Sequence, residues 1–128
     1  KMKVSHKLKI FISSLILTIL ALRIYLLFFP SSNLYIFGYN THHLYIGAFL
    51  IVVLLIFFIF EITNKFTIIF AGISSALVLD EIVYLITTDG SDMSYLSYAS
   101  LSGAIILTAI ILILTIVLYN VQRHKSKQ

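Results

Sequence analysis

Two carboxylates, Asp80 and Glu81, stand side by side in LVLDEIVYL, where the only other polar side chain is the Tyr84 phenol. Two imidazoles, His42 and His43, open a second apolar run, HHLYIGAFLIVVLLIFFIF. One guanidinium, Arg23, interrupts a third, LILTILALRIYLLFF. These residue types allow three kinds of chemistry. Imidazoles with carboxylates suit a transition metal ion, so His42, His43, Asp80 and Glu81 form a candidate ligand set. Acids inside an apolar span mark proton or ion paths. A guanidinium facing a carboxylate can instead fix helix register, with Arg23, Asp80, Glu81 and Tyr84 as a buried polar network. The chain has no cysteine, which removes thiolate zinc sites, thiol redox chemistry and iron–sulfur clusters. No nucleophile elbow or ordered triad is visible, so hydrolase chemistry has no motif to stand on.

The elements that carry these residues are membrane spans. The chain has 128 residues, 60% of them hydrophobic and 11% charged, with a mean hydropathy of +1.05. A soluble domain of that size needs more polar surface, and disorder needs more still. About 20 apolar residues at 1.5 Å each cross the hydrocarbon core. Four such runs are present, near 8–29, 42–60, 66–87 and 95–120. The reading is an all-α, polytopic integral membrane protein, a four-transmembrane-helix bundle forming a single membrane domain over residues 1–128. Pro30 and the serines after it stop the first helix, and Thr41 is the expected N-cap of the second. The first span resembles a signal peptide in its basic start. Its apolar run is too long for one that is cleaved, and no small-residue cleavage site follows, so it reads as retained.

Orientation follows from Lys and Arg. Lys1, Lys3, Lys7 and Lys9 lie at the N-terminus, Lys65 lies between the second and third spans, and Arg123, Lys125 and Lys127 follow the fourth; the other two connections carry no Lys or Arg. Both termini are therefore expected in the cytoplasm, in a protein of the cell membrane. The formal net charge of +4 comes mostly from the ends. Nucleic acid is an unsuitable partner, because no groove-facing or aromatic-interleaved basic surface is present.

Depth brings the ionisable residues together. Asp80 and Glu81 lie six or seven residues before the outer end of the third helix, about 10 Å in, and Arg23 lies at the same distance from the outer end of the first. His42 and His43 open the second helix at that side. Charges at such depth cost about 2–3 kcal/mol or more when they face lipid, so they are expected to face inward and pair. Arg23 neutralises one carboxylate; the other needs a proton, a protonated histidine or a bound cation. Adjacent helical positions diverge by 100°, so one histidine is expected at the acids and the other toward the loop. Tyr84 falls angularly between the two acids and is placed to donate to either. Small residues four apart, Ala71 and Ser75, Gly72 and Ala76, Ala99 and Gly103, Ser100 and Ala104, predict close packing of the third helix on the fourth, with Tyr95, Tyr98 and Ser102 near the cluster. The bulky second helix is left to face lipid or another subunit.

THHLYIGAFL, GISSALVLDEIVYLITTDGSD and YLSYASLSGAIIL together resemble a group of uncharacterised small prokaryotic membrane proteins. That group pairs a His-His-x-x-x-Gly helix start with a later Leu-Asp-Glu and a Gly/Asp-rich outer loop. The resemblance covers 42–107 and singles out His42, His43, Gly47, Asp80, Glu81, Gly90 and Asp92; it departs in GISSAL, where the group is richer in glycine. It implies that the His and Asp/Glu positions act together and names no reaction. The first expectation for function is a small non-enzymatic structural or accessory subunit of a larger membrane complex, whose partners are the bilayer and other membrane subunits or further copies of itself. The second is an intramembrane metal-binding protein or metalloenzyme using His42 or His43 with Asp80 and Glu81 and a transition metal ion. The third is proton or ion transport.

Overall fold

A computed structural model of the chain describes residues 2–30, 35–36 and 39–125. Four long helices dominate it: α1 (Val4–Phe28), α2 (His43–Ile59), α3 (Lys65–Thr87) and, after the four-residue α4 (Asp92–Tyr95), α5 (Tyr98–Lys125). Between α1 and α2 the chain pairs β1 (Tyr35–Ile36) with β2 (Tyr39–Asn40) in a two-residue antiparallel ladder. α1, α3 and α5 are long and apolar enough to cross a membrane; α2, at 17 residues, is apolar but shorter.

The boundaries follow local chemistry. α1 starts earlier than the apolar run, since lysines are good helix formers, and it ends two residues before Pro30. α3 begins with a reciprocal cap: the Thr67 N–H donates to Asn64 Oδ1 and the Asn64 N–H to Thr67 Oγ1, both at 3.0 Å. α2 ends in a Schellman turn, with the Ile62 N–H on the Phe57 carbonyl at 2.9 Å and the Glu61 N–H on Phe58 at 3.0 Å. Glu61 occupies the left-handed position of that turn, at φ 57°. The expected fourth span from residue 95 is corrected: α4 stops at Tyr95 and α5 starts at Tyr98. Ser97 makes this break, its hydroxyl accepting the Ser100 N–H at 3.3 Å. α5 then runs past Asn120 to Lys125, its last turn carrying Arg123, His124 and Lys125 at the negative end of the helix dipole.

α3 is the hub. α1, α2 and α5 each pack on it, while α1 and α5 touch each other only sparsely. Each crossing is cleared by a glycine. A Cβ on Gly72 would lie 2.7 Å from the Phe11 carbonyl of α1, one on Gly47 would lie 2.8 Å from the Ser74 carbonyl of α3, and one on Gly103 would strike the Val83 side chain. Small residues thus bring helix backbones close. The expected packing of the third helix on the fourth span is present, with Gly103 of α5 on Val83 of α3, but the small face at Gly72 of α3 meets α1. α2 is not uniform around its axis, since Gly47 and Leu54, seven residues apart, are buried. Phe49, Val52, Leu55 and Ile56 are exposed.

Direction is fixed at both ends. Lys7 near the start of α1 donates to Thr63 beside the start of α3, and Arg23 near the end of α1 reaches Asp80 near the end of α3. α1 and α3 therefore run parallel, with α2 and α5 antiparallel to them. The surface is as apolar as the core: Leu17, Leu20, Ile24, Phe49, Ile105 and Ile113 are all more than half exposed, an arrangement suited to lipid contact.

Candidate functional site

Among the described residues Asp80 and Glu81 are the most deeply enclosed acids, with 0% and 2% of their surface exposed. Their adjacency on α3 aims them at different neighbours. Asp80 turns to α1, α4 and the start of α5. Its Oδ1 accepts from Arg23 Nε at 2.6 Å, and its Oδ2 accepts from the Tyr95 hydroxyl. Arg23 uses its whole fork: Nη1 donates to the Tyr95 carbonyl at 2.9 Å, and Nη2 to the Asp80 carbonyl at 3.1 Å and to Ser100 Oγ at 3.2 Å. Its guanidinium also lies 4.3 Å from the centre of the Tyr95 ring, a cation–π distance. The break between α4 and α5 makes part of this possible. The Tyr95 carbonyl lies outside the α5 ladder and is available to Arg23.

Glu81 turns to α2. Its Oε2 accepts from the Leu44 N–H at 2.6 Å, and its Oε1 lies 2.6 Å from His42 Nδ1. The expected Thr41 cap is corrected here. His42 is the N-cap residue, and it makes no side-chain cap hydrogen bond. Glu81 supplies the missing acceptor from another helix, placing a carboxylate at the positive end of the α2 dipole.

His43 lies between the acids, with Nδ1 3.2 Å from Glu81 Oε2 and Nε2 3.4 Å from Asp80 Oδ2. Its Nε2 is enclosed and makes no hydrogen bond. Both histidines therefore reach the acids, against the expectation that one would turn away. The reason is local: His42 has extended backbone, φ −67° and ψ 141°, so the 100° rule of a helix does not apply to it. The result is an alternating line, His42, Glu81, His43, Asp80, Tyr95.

Tyr84 is buried in the same layer, its ring 5.2 Å from Tyr95 and 6.3 Å from His42. Its hydroxyl donates to the Ser91 carbonyl at 3.2 Å; the phenol on Asp80 is that of Tyr95. Tyr95 was expected near the cluster and is there. Tyr98 is 87% exposed, and Ser102 donates back to the Ala99 carbonyl. Ser100 and the Leu44 N–H are the partners that sequence reasoning missed. In the sequence Ser100 reads as a small packing residue, and the one signal for Leu44 is a helix start without an acidic or amide cap. Of the resemblance motif, Gly47 is the α2–α3 crossing, Gly90 has a φ of 75°, and the Asp92 side chain lies outside the described residues.

The four candidate metal ligands are together: both carboxylates and His42 are engaged with protein partners, while His43 Nε2 makes no hydrogen bond. Among the described residues no group of three or more His, Asp or Glu side chains is arranged to hold a metal ion. Toward the other end, Ser74 and Thr115 donate to carbonyls of their own helices, as hydroxyls in apolar helices do. No protein-family model, curated protein or solved structure matches the chain.

Proposed function

We propose that this chain is an integral protein of the cell membrane. It crosses four times, with both termini in the cytoplasm, and serves as a non-enzymatic structural or accessory subunit of a larger membrane complex. The observation that carries the reading is the saturation of the buried acids by groups on other helices. Arg23, Tyr95, His42, His43 and the Leu44 N–H converge from α1, α4 and α2 on two residues of α3. Such a network ties four segments into one register.

Apolar α1, α3 and α5, with α2 packed antiparallel on α3, support four crossings; α2 at 17 residues meets the lower limit of a span. The lysines and arginines at the ends and at Lys65 support the orientation. The charge tally also favours a clamp over a reaction centre. Arg23 offsets one carboxylate, and the α2 N-terminus and two imidazoles face the other.

The test is native mass spectrometry of the gently solubilised protein from its own membrane, with elemental analysis of the same sample. A larger complex carrying this chain at fixed stoichiometry, with no metal assigned to it, supports the subunit reading. A lone chain or homo-oligomer holding about one transition metal ion, lost in Asp80→Asn or Glu81→Gln, replaces it with the metalloprotein reading.

A further inference from the structure

At the end of the bundle away from the acids, α1 and α5 diverge as both lean on α3. A cleft of about 350 Å³ opens between them and reaches the start of α3. Its wall is apolar, formed by Phe11, Ile68 and Leu118 among others, with Lys7 at its rim. A second cavity of about 250 Å³ adjoins it, sharing Val4, Tyr119 and Gln122 and adding Ser5 and Arg123. The pair is amphiphilic: a greasy slot running into a cup with a hydroxyl, a phenol, an amide and a guanidinium. Neither cavity is lined by an acidic residue.

We infer that this cleft and cup are the binding site of an anionic phospholipid, an acyl chain lying in the slot and the phosphate between Lys7 and Arg123. The inference rests on the membrane reading above and is independent of the acid cluster. The apolar wall between two spans is covered by hydrocarbon, and the polar groups at the cleft, Lys7, Tyr119 and Gln122, are left to meet a headgroup. Basic pockets between membrane helices on the cytoplasmic side take anionic headgroups. Lys7 gives one of its three donors to Thr63 at 3.0 Å, which aims the ammonium and leaves two donors for a phosphate. Arg123 presents a planar fork suited to phosphate oxygens.

The experiment uses the full chain, delipidated in mild detergent and offered phosphatidylglycerol or phosphatidylcholine of the same acyl composition, with retained lipid read by native mass spectrometry. Retention of one phosphatidylglycerol over phosphatidylcholine is expected. That preference should fall roughly tenfold or more in the Lys7→Gln, Arg123→Gln double variant, from the worth of two basic side chains near an anionic surface. It should change little in Lys9→Gln, a basic side chain at the same end that lines neither cavity. Equal retention of the two lipids by the unaltered chain overturns the inference, as does a preference that survives the double variant or falls equally in Lys9→Gln. Alkaline carbonate extraction of native membranes separates this from the parent reading: a chain released by carbonate refutes the membrane reading, whereas one retained without lipid preference refutes the lipid site alone.

Discussion

The two ends of the bundle use the same residue types in opposite ways. At one end Arg23 is 12% exposed and Asp80 fully enclosed, and every nitrogen of the guanidinium has a partner. At the other, Lys7 meets a threonine hydroxyl at an exposed site, and Glu61 is exposed in the left-handed position of its turn. A charge removed from solvent organises everything around it, because an unpaired charge there costs far more than the pair contributes. A charge left at the surface contributes little and can be exchanged.

The largest effect that would break this contrast is at Arg23. Arg23→Ala strands Asp80 and is expected to lower stability by about 3–5 kcal/mol, against under about 1 kcal/mol for Lys7→Ala. Thermal unfolding of both variants in the same detergent measures the difference, and equal losses would dissolve the distinction between the ends. Arg23→Lys should recover only part of the loss, since an ammonium cannot reproduce the fork. Next is Tyr95→Phe, which leaves Asp80 Oδ2 without its hydroxyl donor and is expected to cost about 1–3 kcal/mol. Tyr84→Phe, whose hydroxyl meets a carbonyl near the loop, is expected to cost about 1 kcal/mol. Denaturant titrations that reverse this order would move the centre of the network from Tyr95 to Tyr84.

Smaller still, and of opposite sign, is Glu61→Gly at the far end. It relieves a left-handed residue in a Schellman turn and should stabilise by about 1 kcal/mol, seen as a higher melting temperature.

The smallest effect is at Asp89, in the connection after α3. Its carboxylate accepts from the Ser91 N–H at 3.0 Å and the Ser91 hydroxyl at 2.8 Å, and these bonds hold its pKa below the ordinary 3.8. A lowered carboxylate pKa contributes above the unfolded value and loses that contribution as pH falls through the folded one. The Ser91 amide resonance should therefore titrate with a midpoint below 3.8, and Asp89→Asn should change the melting temperature little. A midpoint above 3.8 would show that the turn does not form.

Much of the site was legible because ionisable residues stand out in apolar runs and helical rise converts position into depth. Arg23, Asp80, Glu81 and both histidines were placed at one level by arithmetic alone. What stayed hidden depends on backbone that is not helical. His42 reaches Glu81 because an N-cap residue is extended, and periodicity says nothing of such a residue. The break between α4 and α5 carries no Pro or Gly, and Ser97 is one serine among several in YLSYASLSGA. Gly72 and Gly103 are both recognisable as close-approach residues, and Gly103 packs on α3 as its spacing suggests, but Gly72 packs on α1. Small-residue spacing shows that a face permits contact, not which helix takes it up, and a hub arrangement sends the small faces of α3 and α5 to different neighbours.

The borrowed cap on α2 has a consequence for biogenesis. A chain made from its N-terminus presents Arg23 before either acid exists, and it presents the first turn of α2 before Glu81 has left the ribosome. The Leu44 N–H and the guanidinium must keep other partners until α3 arrives. The Arg23 end of α1 and the start of α2 are thus completed by the third helix, which makes the arrival of α3 the step that fixes their packing.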